Sequence, residues 1–269
     1  MTTFNRSSTV KQYIAALILF IFTGFIEISA QQNTTSPIAI RVGLYPYTPF
    51  TEFDDQGNAQ GMVSELISIL NDTQTEFVFI PTPVSPKRRY EFYKMHQVDA
   101  FFYESLLWGW SDIDILSSIP YQQSGERYIA LAQADRDQRF FNDLSQHHIV
   151  GVLGYHYGFA GFNSDEAFLR RNFQITLTWD ESNMLELLEQ ENGDIAIINE
   201  THWVQLQKQQ PKFTAKFLIS DQYDQQYTQS ILMRPSLMSQ QQLDSLIKNV
   251  QAQPAYQQLQ QRYGVSSDQ

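Results

Sequence analysis

The sequence predicts an α/β fold of two lobes joined by a two-strand hinge. Two separate series of alternating strand and helix patterns carry this, one from Ile38 to Glu104 and one from His148 to Gln210. Two long extended runs without helical period, Pro120–Gln133 and Gln225–Pro235, leave the first series and return after the second. At 269 residues the chain has room for one full core or two.

Taken in order, "IAIRVGLY" has the β-rich pattern of a strand, and "GMVSELISILND" places Met62, Leu66, Ile69 and Leu70 along one helical side. "EFVFIPTP" is the next strand, "SPKRRYEFYKMHQ" the next helix and "VDAFFYE" the strand after it. Strand–helix–strand alternation of this kind predicts a parallel sheet. The second series repeats it: "HIVGVLG", "FAGFNSDEAFLRRN", "FQITLTW", "DESNMLELLEQEN", "IAIINE" and "THWVQLQKQQ". After the second extended run, "SLMSQQQLDSLIKNVQAQPAYQQLQQRYG" keeps Leu243, Ile247, Val250 and Leu259 at helical spacing with a break at Pro254. The expected division is lobe 1 over 37–125 plus 230–265 and lobe 2 over 126–229.

Residues 1–30 follow the export pattern and are excluded from the fold. Arg6 and Lys11 precede the apolar run "YIAALILFIFTGF", and "ISA" precedes "QQNTTS", so a signal peptide cleaved after Ala30 is expected. A retained membrane anchor is the alternative; Glu27 and the small Ala30 favour cleavage. The expected location is therefore periplasmic. No cysteine is present, which excludes disulfides, lipidation, thiol catalysis and thiolate metal sites. The net charge of −11 argues against a nucleic-acid partner, because a basic face to meet the phosphates is lacking.

Several strings, in this order, resemble the family 3 periplasmic solute-binding proteins, the polar amino acid receptors of ABC importers. "IRVGLYPYTPFTEFDDQGNAQGMVSEL" looks like the family opening, and "HQVDAFF" like the step before the ligand loop. "SSIPYQQSGERYIAL" resembles the start of the hinge, "IVGVLGYHYGFAG" and "QENGDIAIIN" two strands of lobe 2, and "AQPAYQQLQQRYG" the closing helix. The resemblance covers the mature chain and implies two Rossmann-like lobes of the periplasmic binding protein-like II class.

It also implies where a ligand would sit. The family's carboxylate-gripping arginine falls, by ungapped counting, on Ser111, and no arginine or lysine lies between Lys94 and Arg127. "SPKRRYEF" resembles a subset with a lysine–arginine pair, which points to Arg88 as substitute, with Arg89 as alternate; a solvated basic cluster is the competing reading. "GYHYG" stands where the family has a glycine-threonine turn, so Tyr155 and Tyr157 close over the ligand or pack beneath their loop. His156 has no spaced partner for a metal. The family's amine-holding carboxylate falls on Asn199, with Glu200 beside it as the charged alternative or as a helix N-terminal acid. Tyr47, with Tyr45 and Phe50, matches the aromatic wall, and Glu104 faces the cleft or caps its loop. In "DAFFYESLLWGWSD", Trp108 and Trp110 line the cleft or pack under it, Trp110 being the better candidate for packing.

These observations predict an exported, non-enzymatic, monomeric receptor that closes on a small polar solute, an amino acid or related compound, for ABC import. No cofactor or metal is expected. A sensor that signals to a membrane protein in place of a permease is one alternative. An enzyme of the cyclohexadienyl dehydratase kind, with Glu104, Glu200 and His156 as candidate acids or bases, is another.

Overall fold

The computed structural model describes Met1 and Ser36–Val265, and the signal segment expected over 1–30 lies, Met1 apart, outside the described residues. In chain order the strands are β1 (Ile38–Leu44), β2 (Glu52–Phe53), β3 (Ala59–Gln60), β4 (Phe77–Pro83), β5 (Ala100–Glu104) and β6 (Leu116–Ser117). They continue as β7 (Gln122–Leu131), β8 (Ile149–Val152), β9 (Ile175–Thr178), β10 (Ile195–Asn199) and β11 (Phe217–Met233). The helices are α1 (Met62–Thr73), α2 (Arg89–Lys94), α3 (Glu166–Asn172), α4 (Glu181–Glu189), α5 (Glu200–Gln209), α6 (Pro211–Thr214), α7 (Gln240–Gln251) and α8 (Pro254–Tyr263).

One mixed sheet runs β4-β1-β5-β11-β7-β10-β8-β9, with β6 beside β11 and β2–β3 as a separate ribbon. Within each half the strands are parallel, as the alternation predicts: β1 with β4 and β5, β8 with β9 and β10. The departure is at the hinge. β11 runs antiparallel to β5 and β7, and β7 antiparallel to β10, so the extended runs join the sheet instead of merely crossing. β11 also starts at Phe217 and not at Gln225, because its first residues pair with the end of β7. Helix α3 is shorter than its sequence pattern; a 3-10 turn at Gly158–Ala160 and Gly161 at φ 61° precede it.

The apolar spacing has its expected effect. Leu66 and Leu70 of α1 are fully buried with Ile40, Val42 and Leu44 of β1, in a core completed by Leu243, Ile247 and Leu259. A second core lies on the two faces of the other half-sheet: Met184, Leu188 and Trp203 on one, Phe141, Tyr157 and Leu169 on the other. We propose that the lobes divide at 125/126 and 229/230, within the hinge strands β7 and β11. Among the described residues no helix is long and apolar enough to cross a membrane.

Candidate functional site

Lobe 1 presents an ion pair at the end of β5. Tyr103 adopts φ 53°, in the left-handed region, next to a register shift in β11, and Glu104 follows it into the interior. Trp110 Nε1 donates to Glu104 Oε1 at 2.9 Å and the Tyr45 hydroxyl to Oε2 at 2.7 Å. Arg89, at the start of α2, brings its Nε to 3.6 Å from the same carboxyl. Burial works against the Arg89 charge, but Glu104 together with Tyr45, Tyr90 and Tyr155 outweighs it and holds the guanidinium charged more firmly than usual. Burial pushes Glu104 up, with Arg89 and the two donors pulling it back; three groups aimed at one carboxyl favour the carboxylate.

The lobes meet around this pair. Arg89 Nη1 donates to the carbonyl of Pro86 at 2.6 Å and, across the cleft, to that of Gly154 at 3.1 Å. Gly154, at φ 84°, lies so near lobe 1 that a Cβ there would be 2.7 Å from the Lys87 nitrogen. Tyr155 donates to the Pro46 carbonyl at 2.9 Å, and Trp108 Nε1 to Gln225 Oε1 at 3.1 Å. His156 Nε2 lies 2.8 Å from the Tyr90 hydroxyl; burial, with the nearby Arg89 charge, lowers His156 to about 4, so the ring is neutral at pH 7.

The hinge contributes a second carboxyl. Glu126 of β7 stands opposite Asn199 of β10 in the strand ladder. Asn199 Oδ1 caps α5 by accepting from the amides of Thr201 (2.9 Å) and His202 (3.3 Å), which turns Nδ2 toward Tyr227 (2.9 Å) and Glu126 (3.4 Å). Tyr227 donates to Glu126 Oε1 at 2.7 Å, with the Tyr47 hydroxyl at 3.3 Å from the same oxygen. Among the described residues no cation pairs with Glu126. Burial, with the Glu181 charge nearby, raises it to about 8, against the hydrogen bonds from Tyr227 and Asn199. At pH 7 Glu126 is therefore mostly the neutral acid.

Between these elements lies a cavity of about 20 Å³, the room one water-sized group needs, walled by Tyr47, Arg89, Trp108, Glu126, Tyr155 and Gln225. Tyr47 meets the edges of Trp108 (5.7 Å) and Tyr155 (5.6 Å), and Trp108 meets Tyr227 at 4.7 Å. As it stands the cavity holds nothing larger than a water-sized group.

Of the residues singled out from sequence, Tyr47, Trp108, Tyr155 and Tyr157 line this cavity, Tyr157 mostly as lobe 2 core. Glu104 stands behind Arg89, and Asn199 behind Glu126. Arg88 is elsewhere: it is exposed, 3.1 Å from Glu91 and over the Phe92 ring, because the 3-10 turn at Pro86–Arg88 directs Arg89 inward in its place. Ser111 lies exposed in a turn outside the cavity. Glu200 pairs with Arg127 at 3.1 Å and accepts from Tyr223 at 2.8 Å in the first turn of α5, also outside it. Trp110 is fully buried against Glu104. Glu126, Gln225 and Tyr227 escaped sequence reasoning; the available signal was the spacing of Gln122, Ser124 and Glu126, every second residue of a strand and so one face of it.

No protein-family model and no curated protein sequence matches the chain. Solved structures do. A substrate-binding protein of an ABC uptake transporter from Streptococcus pneumoniae with bound histidine superposes with a TM-score of 0.68 at 11% identity, over 84% of this chain and 92% of that one. A mutant of ArgBP from T. maritima gives 0.66 at 14%, over 84% and 95%. An ancestral amino acid-binding protein described as a precursor of cyclohexadienyl dehydratase gives 0.64 at 16%, over 84% and 95%. Likenesses this distant speak for architecture, and in architecture the chain is a bilobed α/β protein of the type II periplasmic binding fold.

Proposed function

We propose that the chain is an exported, non-enzymatic receptor that closes its two lobes on a small polar solute and presents the closed form to an ABC permease or a membrane sensor. The observation that carries this is the convergence of lobe 1 (Tyr47, Arg89, Trp108), lobe 2 (Tyr155) and the hinge strands (Glu126, Gln225) on one cavity, with hydrogen bonds crossing between lobes on its walls. A ligand contacting all of them stabilises closure by its preference for the closed state. The structural neighbours with bound histidine and lysine support an amino acid or related compound as the solute.

The test is a thermal-shift screen of the mature chain against amino acids, amines, organic acids, oligopeptides and sugars, followed by small-angle scattering. A solute at about 100 times its Kd adds ~2.7 kcal/mol, roughly 5–11 °C for a chain of this size. Stabilisation with a fall in radius of gyration is expected; stabilisation at constant radius refutes closure. An enzymatic reading has one feature in its favour, the buried Glu126 carboxyl in the cleft, raised to about 8 by burial as a general acid requires. Turnover of prephenate or arogenate would establish it.

A further inference from the structure

The charge inventory of the cleft is one-sided. Its donors suited to an anion are turned to internal acceptors, backbone carbonyls and carboxylates. In lobe 1, the Arg89 guanidinium is stacked between Tyr45 (5.1 Å) and Tyr90 (4.5 Å); Nη1 serves two carbonyls and Nε is turned to Glu104. No two-pronged face remains for a second carboxylate. In lobe 2, the backbone amides of Gly158 and Phe159 donate to the two oxygens of Asp224 at 2.7 and 2.8 Å. That contact is built in: a Cβ on Gly158 would lie 2.0 Å from the Asp224 carbonyl oxygen.

The acceptor side is the reverse. Glu126 lines the cavity with no cation paired to it among the described residues, meeting only the hydroxyls of Tyr227 and Tyr47 and the Asn199 amide, and the rings of Tyr47, Trp108 and Tyr155 line the same cavity, Trp108 resting in turn on Tyr227. Carboxylate and π-systems together favour a positive charge. A separate interlobe groove of about 820 Å³ that reaches Pro46, beside Tyr47, is also acidic: Glu52, Asp180 and Glu186 line it, and its one guanidinium, Arg262, is paired with Glu65. Its field attracts cations and repels anions.

Resting on the receptor reading, we propose that the solute is an organic amine cation without an α-carboxylate, held by Glu126 as its carboxylate partner within the Tyr47–Trp108–Tyr155–Tyr227 ring set. Glu104 and Asp224 supply internally the negative charge that an amino acid would bring. Because Glu126 must ionise to receive the ammonium, binding releases one proton below pH 8, and affinity rises about tenfold per pH unit toward pH 8.

Matched pairs differing only by the carboxylate test this: agmatine against arginine, 1,5-diaminopentane against lysine, histamine against histidine. Isothermal titration of the mature wild-type chain at pH 6, 7 and 8, in two buffers of different ionisation enthalpy, reads affinity and proton release together. The proposal expects the amine of at least one pair to bind about tenfold or more tighter than its parent, with about one proton released at pH 6–7. Glu126→Gln, shown folded by circular dichroism, should lose about 100-fold of that affinity. Parents binding as well as or better than amines, or amine binding without proton release, overturns the proposal even if the variant does not fold. Compaction with an amino acid, sugar or organic acid alone leaves the receptor reading standing and this inference refuted; no compaction with any solute of the wider screen refutes the receptor reading itself.

Discussion

Replacing Glu126 with Gln should change how stability depends on pH. Glutamine keeps an acceptor for Tyr227 but cannot titrate. The native carboxyl sits near 8 against an ordinary 4.5, so between those values the folded chain holds a proton that the unfolded chain lacks, and stability falls as pH rises. His156 works the other way. Its native value near 4 lies below the ordinary 6.5, so its contribution rises with pH up to about 6.5 and is then complete. From pH 6.5 to 8 Glu126 therefore acts without opposition from His156. At ~1.36 kcal/mol per unit, a span of about 1.5 units costs the wild type ~2 kcal/mol that the variant does not lose. Urea unfolding at pH 6.5, 7.25 and 8, at fixed salt, measures it; in melting temperature the difference is roughly 4–8 °C. Slopes for wild type and variant agreeing within ~0.5 kcal/mol would refute the buried neutral acid.

Arg89→Ala strands Glu104 as a buried uncompensated carboxylate and should cost ~3–5 kcal/mol by denaturant unfolding, whereas the double change Arg89→Met with Glu104→Leu should recover most of it. A double variant no more stable than the single one would show that Arg89 contributes by packing and not by charge. Gly154→Ala adds a Cβ 2.7 Å from the Lys87 nitrogen and forces alanine to φ 84°, so it should destabilise the closed form by ~1–2 kcal/mol or more. The measurement is scattering: a radius of gyration larger than wild type is expected, and an unchanged radius would mean that lobe 2 does not rest on 86–87.

How far the sequence could be followed depended on periodicity. The alternation through Ile38–Glu104 and His148–Gln210 recovered the parallel strands of each half, because burying one helix stripe against a sheet leaves a regular pattern of apolar residues. The hinge strands were legible only as extended runs. Nothing in "QQSGERYIAL" or "QQYTQSILM" states that β7 and β11 pair with each other, since that partner choice is a contact between segments about a hundred residues apart. The arginine shows the same limit at smaller scale. "KRR" offers three cations at the head of a helix, and a single 3-10 turn decides that Arg89, not Arg88, faces the cleft.

The carboxyl at Glu126 was hidden for a different reason. The family resemblance expects a strand-end acid at Asn199, and the structure puts an acid directly across the ladder from it on β7. One strand spacing is about 4.8 Å, within the reach of a glutamate side chain, so Glu126 brings an acid beside Asn199 although the two lie far apart along the chain. Asn199 is then free to cap α5 through Oδ1, a role an aspartate could also fill but only by setting a second carboxyl beside Glu126. With asparagine there, its amide donates to the carboxyl instead of repelling it. On the receptor reading proposed above, a ligand that ionises Glu126 more favourably in the closed state than in the open one promotes closure. That difference in contact energy is what a closing receptor requires of its ligand.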